Sequence, residues 1–178
     1  MKSCVVFESM YGNTHEIAEA VASGLRVAGE VTIGSVNEIP AAAVSDADLV
    51  VVGGPTHAHG MSRAASRVAA VETAAKDDAI EAEPHAEGPG LRDWFRDVPE
   101  ASGRFGAAFD TRIDKPAVFT GSAAKGIAKH LRRHHYKQLT APKSFFVDGA
   151  EGPLKEGEVE RARTWAEELA QRYEREQG

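Results

Sequence analysis

The strongest constraint on this chain is a repeated change of period. Short apolar runs, each the length of a buried strand, alternate with longer segments whose apolar residues recur at helical spacing. Cys4-Val5-Val6-Phe7 is the first such run. After Thr14 the period changes, and Ile17, Ala18, Val21, Leu25 and Ala28 fall on one helical face. A second strand is read at 30–36 through Val31, Ile33 and Val36. A third is read at Leu49-Val50-Val51-Val52, ended by Gly53-Gly54-Pro55. The spacing of Ala65, Val68, Ala69 and Glu72 predicts a helix from about Ser62 through Lys76, and Leu91 to Phe95 reads as a shorter one. Arg104 to Asp110 is the fourth strand, and Ala117-Val118-Phe119 a short strand or loop. A helix follows from Ser122 to about His134, with Ala124, Ile127, Ala128 and Leu131 inward. Ser144-Phe145-Phe146-Val147 is the fifth strand. The last helix runs from about Glu156, with Val159, Ala162, Ala166, Leu169 and Tyr173 on one face. Strands that alternate with crossover helices imply an α/β fold built on an open parallel sheet.

Composition narrows the class further. At 178 residues and 42% hydrophobic, the chain is expected to form one domain with a real core over 1–178. The single cysteine, Cys4, has no partner in the chain and lies in an apolar run, so it reads as a small buried hydrophobe. No stretch approaches the roughly 18 unbroken apolar residues of a membrane span, and no signal-peptide pattern is present. A cytoplasmic protein is expected. With 21 basic and 27 acidic residues the net charge is −6, which argues against a nucleic-acid binder. The charge is uneven. Residues 77–100 hold eight acids (Asp77, Asp78, Glu81, Glu83, Glu87, Asp93, Asp97 and Glu100) against Arg92 and Arg96. With Pro84, Gly88, Pro89 and Gly90, residues 77–90 look like an excursion over the surface, and about 77–100 reads as an acidic surface insertion. Residues 115–147 hold seven basic residues and no acid, a solvated face that could also orient an acidic partner.

Open parallel sheets bind ligands beyond the carboxyl ends of their strands, where the strand order reverses. The loop Ser9-Met10-Tyr11-Gly12-Asn13-Thr14 stands at such an end and leads into a helix N-terminus. It offers two hydroxyls, an amide and a glycine that lets the backbone approach a ligand closely. Free N–H groups and the positive end of the helix dipole suit a phosphate there. The loop has no lysine, which disfavours a nucleoside triphosphate and suits a monophosphate ester. No Gly-x-Gly-x-x-Gly run follows the first strand, so a dinucleotide fingerprint is absent.

The segment Val5-Val6-Phe7-Glu8-Ser9-Met10-Tyr11-Gly12-Asn13-Thr14-His15-Glu16-Ile17-Ala18 resembles the phosphate-binding segment of the flavodoxin family. Gly53-Gly54-Pro55-Thr56-His57 resembles that family's second flavin loop, and Phe109-Asp110-Thr111-Arg112 lies where its third is expected. The resemblance implies five parallel strands in the order 2-1-3-4-5 with helices on both faces. It also implies FMN as the cofactor, with its phosphate on residues 9–14 and its isoalloxazine between the 55–60 and 109–112 loops. The cofactor-binding candidates are then Ser9, Met10, Tyr11, Gly12, Asn13, Thr14, Pro55, Thr56, His57, Phe109, Asp110, Thr111 and Arg112.

The departures from that pattern carry their own expectations. The tryptophans lie away from the flavin loops. Trp165 is expected to pack in the last helix and Trp94 to anchor the insertion to the core, while Tyr11 shapes its loop. His130, His134 and His135 include an i, i+4 pair, but with Lys129, Arg132 and Arg133 among them a basic solvated helix fits better than a metal site. No Gly-x-Ser-x-Gly elbow or Ser/His/Asp order supports hydrolysis. The resemblance gives conventional members an acidic flavin rim. Here the ring-facing loops carry His57, His59 and Arg112, with Asp110 as their only acid. A guanidinium at about 4 Å from the reduced ring stabilises its negative charge by about 4 kcal/mol at an effective dielectric near 20, before solvent discount. The reduction potential is therefore expected to be less negative than a carrier's. Three functions follow: an electron carrier serving redox partner proteins, an FMN-dependent oxidoreductase passing hydride from NAD(P)H to a quinone or other small acceptor, and an interaction module without flavin.

Overall fold

β-branched and aromatic residues fill the runs that become strands, and the computed structural model pairs them into one sheet. It describes residues 1–57, 59–77, 79–101 and 103–178; Asp78 of the insertion and Ala58 of the 55–60 loop lie outside the described residues. The elements run β1 (Lys2–Phe7), α1 (Asn13–Leu25), β2 (Glu30–Ser35), β3 (Leu49–His57), β4 (Gly60–Met61), α2 (Ala64–Ala74), α3 (Leu91–Trp94) and β5 (Phe105–Ile113). They continue with α4 (Ala117–Thr120), α5 (Ala123–Arg133), β6 (Lys137–Gln138), β7 (Lys143–Val147) and α6 (Glu158–Gln177).

Four strands lie side by side as β2-β1-β3-β5. β6 and β7 both pair parallel with β5, at Phe105–Gly106 and at Phe109–Ile113, so the fifth position of the sheet is filled by two consecutive pieces. The expected order 2-1-3-4-5 is therefore present, with the last strand interrupted. The interruption and the two-residue β4 carry too few residues to leave a periodic signal.

Helices cover both faces. α1 and α6 close one side, where Ile17, Val21, Leu25, Ala166 and Leu169 are wholly buried against Val5, Val51 and Phe109. Complete burial of one such aliphatic side chain contributes about 1.5–3 kcal/mol. α5 and the insertion close the other side through Ile127, Leu131, Leu91, Trp94 and Phe95. Trp94 anchors the insertion as expected: its ring is buried and its indole N–H donates to the Ile39 carbonyl at 2.8 Å. Trp165 packs edge-on against Phe109 and Phe145.

Two readings change. β3 does not end at Gly53-Gly54-Pro55. Those residues continue the ladder, opposite Phe109, Asp110 and Thr111 of β5. The glycines make room for packing from both faces. A Cβ on Gly53 would stand 2.0 Å from the Phe109 ring, and one on Gly54 would stand 2.6 Å from Leu91. Residues 117–119 belong to the helical turn α4, started by Pro116, whose fixed φ suits a helix entry.

Candidate functional site

The switch in strand order falls between β1 and β3, and the loops after β1, β3 and β5 meet there around an open cleft of about 240 Å³. Ser9, Met10, Tyr11, Asn13 and Thr14 form one wall. Pro55, Thr56 and His57 form the second, and Thr111 with Arg112 the third. Val147 and Ala150, from β7 and the loop after it, complete the cleft; the sequence had not singled them out.

The first wall leaves hydrogen-bonding groups open. Ser9 is buried, and among the described residues its Oγ has no hydrogen-bond partner. α1 starts at Gly12 in the left-handed conformation (φ 84°), and no side chain caps its first turn. A glycine at such a φ followed by helix turns successive backbone N–H groups toward one point, a natural anion cradle. Thr14 Oγ1 lies 2.7 Å from Thr111 Oγ1. In that pair only one hydroxyl hydrogen is consumed, and the other remains available to a third group. Asn13 Nδ2 donates to the Glu151 carbonyl at 2.8 Å and so ties the loop before α6 to this wall. The Tyr11 hydroxyl donates to the Ala70 carbonyl at 3.3 Å, which fixes the loop against α2. An orphaned hydroxyl beside an uncapped helix start fits the phosphate of a flavin mononucleotide.

The second and third walls are tied into the fold. Thr56 Oγ1 donates to Asp110 Oδ2 at 3.0 Å and accepts from the Ala123 amide at 2.8 Å. The same Asp110 oxygen accepts from Ser122 Oγ at 2.7 Å and from the Ala124 amide at 2.9 Å. Asp110 is wholly buried and stands behind the cleft, at the start of α5. Phe109 is wholly buried too, in the core under Gly53. Neither residue lines the cleft, and Gly12 reaches a neighbouring shallow hollow instead. The alternation of β5 sends Phe109 and Asp110 to opposite faces of the sheet, which loop position alone did not reveal.

Arg112 does line the cleft, held by neutral acceptors. Its guanidinium donates to Ser144 Oγ at 3.0 Å, Thr120 Oγ1 at 3.1 Å, the Ile113 carbonyl at 3.4 Å and the Lys115 carbonyl. Among the described residues no carboxylate pairs with it, and it lies over the Phe146 ring. Burial pushes His57 below the usual imidazole range, against the opposing pull of Glu8 and Glu151. His59 sits at the tip beyond β3 with φ 72°, bridged to Gly121. With Asp110 turned away, none of the described residues that line the cleft is a carboxylate, and Glu8 and Glu151 act on His57 from beyond the lining.

Sequence reasoning missed the groups that support these walls. Ser122 is the N-cap of α5 and Thr120 a prop for Arg112. Arg67, buried, pins the insertion through Gly88 and Asp93. A serine directly before an apolar helical stretch was a readable cap signal; a buried arginine on a helix of weak periodicity was not. Among the described residues no group of three His, Cys, Asp or Glu side chains is arranged to hold a metal. No helix of the described residues is long and apolar enough to cross a membrane. Cys4 is buried, and burial pushes its thiol up to about 11, as an inert core residue requires.

Comparison with known proteins matches this architecture. The family model described as a flavodoxin domain matches residues 4–74, which contain the first wall and the second. A flavodoxin from the domain Archaea superposes with a TM-score of 0.64 at 18% identity, over 98% of this chain and 99% of that one. Oxidised flavodoxin 1 from Bacillus cereus gives 0.68 at 17% identity, over 96% and 98%. Rubredoxin oxygen:oxidoreductase from Desulfovibrio gigas gives 0.62 at 19% identity, with 98% of this chain matching 36% of that longer one. At such identities these are likenesses of fold. No curated protein sequence matches the chain.

Proposed function

We propose that this chain, a flavodoxin-family protein by its sequence over residues 4–74 and by its fold throughout, binds FMN in the cleft and works in electron transfer. The observation that carries the reading is the buried, unpartnered Ser9 hydroxyl beside an uncapped helix start. Ser9 Oγ, one of the Thr14/Thr111 hydroxyls and the first amides of α1 hold the phosphate. Pro55, His57 and Arg112 bound the space left for the ring. FMN supplies the redox chemistry, and the protein supplies binding, orientation and electrostatics. His57, held neutral by burial, contributes hydrogen bonding rather than charge at neutral pH.

The test is the visible spectrum of the purified protein, followed by parallel titrations with FMN and riboflavin. Selective retention of FMN supports the reading. Equal affinity for the two ligands overturns the assignment of the phosphate wall.

A reductase is the second reading, and Arg112 favours it. Among the described residues the Arg112 guanidinium has no carboxylate partner and the cleft lining holds no acid, so this cation favours the reduced, negatively charged ring. Turnover of NAD(P)H by the isolated protein with a quinone acceptor distinguishes this reading from a carrier's. The basic stretch of 115–147 supports an acidic protein partner in the carrier case, and electron transfer to that partner then slows as salt rises.

A further inference from the structure

Among the described residues, the insertion at 77–100 contributes no side chain to the cofactor cleft. It roofs a second cavity, of about 190 Å³, over the carboxyl ends of β1 and β2. The two spaces share one residue, Ser9.

At the base of this second cavity lies Glu8, whose side chain is buried at 5% exposure. Its Oε2 accepts the Leu91 amide at 2.8 Å, while its Oε1 is buried with no hydrogen-bond partner. Arg67 approaches from behind Gly90, but its hydrogen bonds go to Gly88, Ser62 and Asp93, and none to Glu8. A buried carboxylate oxygen left open is costly, and it is relieved by a donor entering from the cavity.

The remaining lining repeats that charge. Glu38 stands at the mouth, and the backbone N–H of Ser35 holds its carboxyl below the usual range. Glu83, on the roof, accepts from or pairs with His15 Nδ1 at 2.8 Å, and His15 stacks on Phe7. His85 completes the roof at φ 63°, a conformation that a non-glycine residue adopts only under constraint. Between the polar groups, Val36, Pro84 and Pro89 present apolar surface.

We propose that this roofed cavity is a binding site for a small organic cation, an ammonium or amidinium group carried on an apolar body. The cationic head donates to Glu8 Oε1, and Glu38 attracts it at the mouth. The body lies against Val36, Pro84 and Pro89. The site is independent of the FMN assignment, since Glu8, Glu38, Val36, Pro84 and Pro89 line this cavity and not the cofactor cleft.

Benzylamine is the probe, titrated calorimetrically into the flavin-free protein, with benzyl alcohol as the neutral control of the same shape. The expected result is saturable one-to-one binding of benzylamine and at least about tenfold weaker binding of benzyl alcohol. Glu8→Gln should weaken benzylamine about tenfold, and FMN should leave its binding in place. Equal binding of amine and alcohol overturns the proposal, as does the absence of saturable amine binding to the wild type. Displacement of benzylamine by FMN overturns it too, because it puts the amine in the cleft. If Glu8→Gln does not fold, the alcohol control and the FMN competition decide on the wild-type protein alone.

Discussion

Two cavities open on either side of Ser9 at the same end of the sheet, and their charged side chains differ. Among the described residues the cofactor cleft is lined by the Arg112 cation and neutral His57 with no carboxylate, while the roofed cavity is lined by Glu8, Glu38 and Glu83 together with His15 and His85. Both are built from loops after parallel strands, and both draw on residues that a sequence reader would mark as polar and available. The difference lies in where the fold puts each acid. Asp110, the one acid of the flavin loops, stands behind the cleft with its Oδ2 bound to Thr56, Ser122 and Ala124, whereas Glu8 lines its cavity and accepts from Leu91; each keeps one buried oxygen without a partner among the described residues. A side chain's availability to a ligand is set by which side of the wall the fold places it on.

The largest expected effect tests whether Asp110 belongs to the scaffold. Asp110→Ala leaves two hydroxyls and a buried amide without their acceptor, and it should cost about 3–4 kcal/mol of stability in urea unfolding. An unchanged midpoint with a large loss of FMN affinity would return Asp110 to the cofactor site and erase the contrast.

Next comes Ser9, whose hydroxyl bonds to nothing within the protein. Ser9→Ala should leave the unfolding midpoint nearly unchanged while raising the FMN dissociation constant by about 10- to 100-fold, the worth of a hydrogen bond to a charged group. Riboflavin affinity, followed by flavin fluorescence, should hardly move. A comparable loss for riboflavin shows that the hydroxyl does not face the phosphate.

Arg112→Ala sharpens the electrostatic half of the comparison. It should lower the reduction potential of the bound flavin by about 30 mV or more for the two-electron couple, equivalent to about 1.4 kcal/mol. It should also cost about 1 kcal/mol of stability, because the loop after β5 loses its tie to Ser144 and Thr120. Coincident potentials for wild type and variant in parallel reductive titrations would assign Arg112 a purely structural part.

The smallest effect is on pH. Burial depresses His57, so between its folded pKa and about 6.5 the unfolded chain binds a proton that the folded one does not. Stability is therefore full above about 6.5, falls as pH drops from there toward the folded value, and levels off below it. His130 is depressed as well, by burial and by Arg133, Arg92, His134 and Lys129, and adds a fall of the same sign. Unfolding midpoints at pH 7 and pH 5.5 should show a smaller drop in His57→Gln than in wild type. An equal drop removes His57 from the account.

Sequence periodicity determined the sheet and its order. Ile17, Val21 and Leu25 at helical spacing, and the apolar runs at 4–7, 49–52 and 144–147, leave few ways to bury both faces of a parallel sheet. The phosphate wall was legible for a related reason: residues 9–14 are contiguous, and local chemistry alone links a hydroxyl-rich turn to a helix start. Tertiary structure decided the rest, because it depends on pairings distant in sequence. Gly53 and Gly54 read as a loop, yet they lie within β3 because Phe109 and Leu91 need the space above and below them. Asp110 read as a rim acid, yet it is buried because the start of α5 brings Ser122 and Ala124 to it. Residues 77–100 read as a solvated excursion, and only the contacts of Trp94 with Ile39, Arg67 with Gly88 and Leu91 with Glu8 turn that segment into the roof of a cavity. Each of these contacts spans 21 or more positions, beyond the reach of any periodicity.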